Sequence, residues 1–340
     1  MFHATSWDTL DKIFTYVPPR KEIDENALWN MPPFVGSAIY QNDQVIGANI
    51  VMPVPIDLWI SKPKMIKKLR KKQLFPALRL AKDCGLNMVA LGASTPYACN
   101  YGKMPRSVDS PNITTGHAAT AAMLKKWACY AAAQTNLEFD HIRLAVFGAA
   151  GRLGKGVSRY LASERAPREL ILIDLPDKVN LLKELAKEIR TYNKSINISI
   201  IGLDSNRPLP DFDGAILVSN NTVPFLGAEH LRKAKFWIDD SHLRAASIEA
   251  EQATRNDTLY IECYASAPEG VDTDFPFNLP STNDCYTCFA EGYLAWKEKI
   301  DHDYVTGIPE ISKISNVARL LEKYKFDVGP FFGKNGALIG

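Results

Sequence analysis

The clearest rhythm of apolar and polar positions lies in the middle of the chain. "RLAVF", Arg143 to Phe147, is a short apolar run of the kind that a strand buried on both faces requires. A glycine-rich turn follows, then a helix from about Gly154 to Ser163, then a second apolar run, "ELILID". In "VNLLKELAKEIRTYN", Val179, Leu182, Leu185 and Ile189 recur at helical spacing and predict an amphipathic helix. Further strands are expected at "ISIIGL", "GAILVS", "KFWIDD" and "LYIEC". Strands alternating with helices predict a parallel, doubly wound sheet, bounded at residues 139–270.

Residues 1–138 read as an N-terminal α/β domain, with strands at "GANIVMPV" and "NMVALGA" and helices over Met65–Asp83 and Thr115–Gln134. Residues 271–340 read as a C-terminal helical segment, with helices over Cys285–Ile300 and Ser312–Tyr324. "APEGVDTDFPFNLPSTND" joins the sheet to them, and its prolines make it a loop. The fold class expected is therefore α/β: a Rossmann-type doubly wound parallel sheet plus an N-terminal α/β domain and C-terminal helices.

Composition narrows the chemistry. The 340 residues carry a formal net charge of +2, which gives no global pull toward nucleic acid. No apolar run approaches the roughly 20 residues that a membrane-crossing helix needs. The start, "MFHATSWDTLDK", lacks the basic flank and apolar stretch of a signal peptide, so a cytoplasmic location is expected. The six cysteines have no stapled-scaffold spacing and are expected to be thiols.

Gly148, Gly151 and Gly154 make "GAAGRLG", a variant of the dinucleotide fingerprint set between a strand and a helix. Such a turn lets the backbone approach a pyrophosphate, with the amides around Ala150, Arg152 and Leu153 at the helix start. Asp174 ends the second strand, where an acidic residue accepts from ribose hydroxyls and opposes a 2′-phosphate, so NADH is favoured over NADPH. Lys178, a turn further on, partly offsets that preference; a helix-capping role is the plain alternative for Asp174. Ser219 ends a later strand on the ligand-binding side, with loop capping as an equal account.

"DCYTCFAEGYLAW" places Cys285 and Cys288 three residues apart. Buried cysteine commonly serves as a small hydrophobe, and CxxC also suits a redox pair or half a zinc site. No second CxxC completes a zinc set, so no metal is expected. Together with "LFPALRLAKDCGLNMVALGAS", "NITTGHAATAAM" and "LAVFGAAGRLGKGVSRYLA", in that order and spacing, the stretch resembles the cyanobacterial long-chain acyl-[acyl-carrier-protein] reductases. The resemblance covers most of the chain and is thinnest over the first 60 residues. It implies a divergent, aldehyde-forming relative that takes an acyl group as a thioester on the cysteine of Cys-Phe-Ala-Glu, here Cys288, and reduces it with NADH or NADPH. Cys285 has no counterpart in that motif.

Other positions follow from the same stretches. Thr114, Thr115 and Gly116 open a helix and offer hydroxyls and amides to an acyl oxygen or a phosphate, with a threonine N-cap as the alternative. Ser94 and Thr95 follow a strand and are expected to line the acyl pocket. His117 stands where the family has asparagine; it is a candidate proton donor or simply polar surface. Two departures stand out: "DDSHLR", with Asp239, Asp240 and His242, replaces a stretch richer in glycine, and Asp174 replaces the NADPH-type residues. Both point to a different acyl group or a different nicotinamide.

Between Lys62 and Lys82 lie nine Lys or Arg residues and no acid. The implied partner is an acyl-carrier protein, whose acidic helix would dock there, or a coenzyme A thioester. A solvated face is the alternative. Two rival functions stand beside the reductase: a non-covalent NAD(P)-dependent dehydrogenase of a small carbonyl or hydroxy compound, with His117 or His242 as acid, and a nucleotide sensor that never turns over.

Overall fold

A computed structural model describes residues 4–5, 30–329, 331–332 and 338–339, apart from 55, 61–62, 105, 108, 164, 205–208, 222, 242, 274–278 and 280–282. The chain forms two compact units. One comprises Met1–Ala119, Tyr264–Gly307 and Val317–Gly329; the other comprises Thr120–Cys263, Ile308–Asn316 and Pro330–Gly340.

The second unit holds a six-stranded, wholly parallel sheet. Its spatial order is Leu259–Glu262, Phe236–Asp239, Gly214–Leu217, Arg143–Phe147, Glu169–Asp174, Asn197–Gly202. Chain order therefore reverses between Arg143–Phe147 and Gly214–Leu217, the switch point of a Rossmann-type fold. The helices Arg152–Ser163 and Val179–Tyr192 follow the first two strands. Of the expected apolar stripe, Leu182, Leu185 and Ile189 are buried and Val179 is partly buried. On the other sheet face Phe147, Phe212 and Trp237 pack with ring centroids 5.4–6.1 Å apart. Such aromatic contacts add about 0.5–1.5 kcal/mol each beyond area burial.

The first unit has a small mixed sheet and a separate parallel pair. Phe34–Gln41 and Gln44–Val51 form an antiparallel hairpin. Its two-residue turn has positive φ at both Asn42 and Asp43, the twist a tight hairpin needs. Val271–Thr273, from far along the chain, adds to the edge of Phe34–Gln41. Met88–Ala90 pairs in parallel with Asn112–Thr114. Ile66, Leu69, Leu74 and Leu78 from the basic stretch enter the core beneath them. That stretch is helical over Pro63–Asp83, with a π turn at Arg70–Leu74. No helix among the described residues is long and apolar enough to cross a membrane.

Several expectations shift. The divisions at 138 and 270 give way to the two units above because strands bring late segments onto early ones: Asp284–Cys285 pairs with Ala265–Ser266, and Val271–Thr273 with the hairpin. The helix expected from Cys285 starts at Thr287, since Cys285 is spent in a strand. The helix expected from Thr115 starts at His117. The strand Phe34–Gln41 adds to the expected elements.

Candidate functional site

In the first unit, Tyr286 is extended (φ −68°, ψ 148°) and the eleven-residue helix Thr287–Lys297 begins directly after it. Cys288 is the helix's second residue and is half-buried. Facing it, Gly116 holds φ +79°, and a Cβ built there would lie 2.5 Å from Cys288 Cβ and 2.7 Å from its Cα. Only glycine tolerates both that backbone and that approach. The two peptide segments, 172 positions apart, are thus in direct contact at the backbone and Cβ of Cys288.

One turn after Cys288, Glu291 is completely buried. Its Oε1 accepts from the Gly116 N–H at 2.7 Å and from the Thr114 hydroxyl. Its Oε2 accepts from the N–H groups of Ala118 (2.8 Å) and Ala119 (2.9 Å). Glu291 therefore caps the helix His117–Gln134 from a distant part of the chain. Burial pushes its carboxyl above the usual range, while these donors pull it back down in part. The threonine N-cap, the alternative for this stretch, is displaced: the Thr114 hydroxyl donates to Glu291, and the Thr115 hydroxyl is buried and bonds to none of the described residues. No sequence pattern pointed to the carboxylate of Cys-Phe-Ala-Glu as the cap, because its partners lie 172–177 positions away.

The other candidates in this unit are also located. Cys285 is buried in its strand, and burial first, then the neighbouring Cys288 and Asp284, push its thiol well above the ordinary value. Ser94 and Thr95 are buried just beyond Met88–Ala90. His117 is buried rather than surface, its ring 5.6 Å from that of Tyr101. Exposed Lys67, Lys68, Lys71, Lys72, Arg79 and Lys82 line the helical stretch, beside a groove of about 600 Å³ bordered by Phe75, Arg79, Lys82 and Arg106.

In the second unit, the strand Arg143–Phe147 runs into Gly148 with φ +79°. A Cβ there would meet the Val218 carbonyl oxygen at 2.8 Å, which puts the turn at the switch point of the sheet. A Cβ on Gly154 would lie 2.1 Å from the Gly148 oxygen, so the helix start packs directly on the loop. Gly151 closes the turn by donating to the Gly148 oxygen at 3.0 Å. Arg152 and Leu153 form the first turn of the helix, as expected. These residues fit a dinucleotide: the cradle exists because side chains that would fill it are missing.

Asp174 is placed at the strand end, but its carboxylate braces the loop. Oδ2 accepts from the Ala150 N–H at 2.8 Å and Oδ1 from its neighbour Leu175 N–H at 2.8 Å. Leu175, not Asp174, occupies the cap of the following turn, so the helix-capping alternative does not hold. Each carboxylate oxygen keeps a lone pair for a ribose hydroxyl. Lys178 pairs with Asp177 at 2.8 Å. The Ser219 hydroxyl bonds to Asn221 Oδ1 (2.8 Å) and Ser241 Oγ (3.0 Å), and Asn221 reaches the Leu243 carbonyl at 2.7 Å. Ser219 thus ties two strand ends together, the loop-capping account. Asp239, read as part of a polar rim, is buried and accepts from the Ser241 and Ala245 N–H groups and the Tyr260 hydroxyl. His242 lies outside the described residues.

No family model matches the chain, and no curated protein matches it. Among solved structures it is similar to L-tryptophan dehydrogenase from Nostoc punctiforme, at 14% identity over 83% of this chain and 70% of that one, with a TM-score of 0.39. It is also similar to shikimate 5-dehydrogenase from Listeria monocytogenes in complex with shikimate and NAD, at 11% identity over 74% of this chain and 88% of that one, TM-score 0.36. Quinate dehydrogenase from Corynebacterium glutamicum in complex with NAD is similar at 12% identity over 79% and 88%, TM-score 0.36. These are distant likenesses of fold.

Proposed function

We propose that this chain is an NAD(P)H-dependent reductase that takes an acyl group from a thioester onto Cys288 and releases it as an aldehyde. The observation that supports it best is the seat of Cys288: first turn of a helix, half-buried, with Gly116 stripped of a side chain against it, while Cys285 is buried and hard to ionise. A helix N-terminus favours the thiolate over the thiol. The Cys288 thiolate attacks the thioester carbonyl carbon, a new C–S bond forms, and the carrier thiol departs with a proton. A bound nicotinamide would supply the hydride that makes the acyl carbon an aldehyde. Breaking the C–S bond then returns the thiolate to Cys288.

In this reading the first-turn amides of Arg152, Leu153 and Gly154 hold the pyrophosphate, on a loop whose close approach Gly148, Ala150 and Gly151 provide. Asp174 accepts from the ribose hydroxyls and favours NADH, and Ser219 supports the nicotinamide side. Thr95 and His117 line the acyl group. Lys67, Lys68 and Lys71 attract the acidic face of a carrier protein, a charge match that acts mainly on encounter.

The test is intact-mass spectrometry after incubation with an acyl thioester and no cofactor. An adduct of the acyl mass on Cys288, absent from Cys288→Ala, is the expected result. Full turnover by Cys288→Ala would refute the covalent route and favour a non-covalent dehydrogenase of a small carbonyl or hydroxy compound.

A further inference from the structure

Two buried hydroxyls at one edge of the thiol-bearing unit bond to none of the described residues. Ser94 Oγ and Thr115 Oγ1 have no hydrogen-bond partner among the described residues, although the residues are only 3% and 2% exposed. A buried hydroxyl without a protein partner is unfavourable, so such groups invite a ligand's acceptor. Three neighbouring groups are already committed. The Thr114 hydroxyl and the Gly116 N–H go to Glu291, and the Thr115 N–H goes to the Val305 carbonyl at 3.1 Å.

The backbone brings both residues toward the nucleophile. Met88–Ala90 and Asn112–Thr114 are parallel, with Ala90 opposite Thr114, and the Leu91 N–H donates to the Thr114 carbonyl at 2.9 Å. The two segments therefore leave the strand pair side by side. One turns through Gly92 and Ala93, at φ +49°, into Ser94; the other passes through Thr115 into Gly116. Gly116 is the residue in contact with Cys288, and the helix carrying Cys288 packs on Met88–Ala90.

We propose that the hydroxyls of Ser94 and Thr115 donate hydrogen bonds to the carbonyl oxygen of the acyl group as it transfers to Cys288. This deepens the covalent reading above and rests on it. When the thiolate adds to the carbonyl carbon, the C–S bond forms and the π pair moves onto oxygen. Two hydroxyl donors fixed in a buried setting stabilise that oxyanion with little reorganisation. Collapse restores the carbonyl and expels the carrier thiolate, which takes up a proton.

The test uses the full chain, dodecanoyl- and hexanoyl-coenzyme A, and the variants Ser94→Ala, Thr115→Val and Thr115→Ser. Two rates on Cys288 are compared: acyl-adduct formation, and alkylation by iodoacetamide, which forms no oxyanion. Ser94→Ala and Thr115→Val are each expected to slow acylation roughly 100-fold while alkylation stays unchanged, and Thr115→Ser to retain acylation. Melting temperatures should hold or rise, because an apolar group replaces an unbonded hydroxyl. Variants that acylate as fast as an acylating wild type overturn this assignment alone. Variants that lose stability and both rates together overturn it too, since the hydroxyls would then serve the fold. A wild type that forms no adduct brings down the covalent reading and this assignment with it.

Discussion

Replacing Glu291 by glutamine probes the candidate site where it is most buried. The carboxylate is fully enclosed and takes four donors: the Thr114 hydroxyl and Gly116 N–H on Oε1, and the Ala118 and Ala119 N–H groups on Oε2. An amide nitrogen accepts nothing. If it takes the Oε1 position, the Thr114 hydroxyl can turn and accept from it, so only the Gly116 N–H is orphaned. The opposite flip orphans the N–H groups of both Ala118 and Ala119, so the first arrangement wins. One buried donor left unmet costs about 1–3 kcal/mol. At about 2–4 °C per kcal/mol for a unit of this size, the melting temperature should fall by roughly 2–12 °C. Glu291→Ala orphans all four donors, about 4–12 kcal/mol, which rivals a typical total stability of about 5–15 kcal/mol. That variant should not fold.

The pH dependence has a definite sign. Burial sets the folded carboxyl of Glu291 above its unfolded value, despite the donors from Thr114, Ala119, Gly116 and Ala118. Its stabilising contribution is full below the ordinary carboxylate range and is lost as pH rises through the folded value. Glutamine does not titrate, so the gap between wild type and Glu291→Gln should narrow from acid toward neutral pH. Because the orphaned donor is Gly116, the residue against Cys288, alkylation of Cys288 should also change. Differential scanning calorimetry across that pH range decides it: coincident wild-type and variant melting curves at every pH would refute the clamp.

Other outcomes are equally checkable. Gly154→Ala forces a Cβ to 2.1 Å from the Gly148 oxygen and must open the loop; NADH affinity by fluorescence titration should drop about tenfold or more, some 1.4 kcal/mol. In native protein at mildly alkaline pH, iodoacetamide should label exposed Cys84 and half-buried Cys288, and spare Cys99 and Cys285, as read by peptide mass mapping. Burial outweighs the nearby Arg70 and Arg106 and pushes the Cys99 thiol up to about 12, so the native state keeps a proton that the unfolded chain loses, and stability declines as pH climbs past the ordinary thiol value. Charge reversal at Lys67, Lys68 and Lys71 should raise KM for carrier-bound acyl groups several-fold and leave kcat alone; identical kinetics would remove the docking surface.

Much of the dinucleotide-type unit was legible in the sequence. "RLAVF", "ELILID" and the stripe of Leu182, Leu185 and Ile189 each state their element locally, because strand and helix bury faces of different period. The glycine-rich turn was legible for the same reason: a turn's demand for Gly148 and Gly154 is met within seven residues. The hairpin closed at Asn42 and Asp43 lies outside those expectations, since its first strand, Phe34–Gln41, is not among the runs read as strands. What the tertiary structure decided were contacts between distant segments. Which of two cysteines is accessible depended on a short strand pairing Cys285 with Ala265. That Glu291 caps a helix beginning at His117, and that Gly116 is missing a side chain for the sake of Cys288, are facts about residues more than 170 positions apart. Periodicity records which face of an element is buried; it carries no record of what buries it.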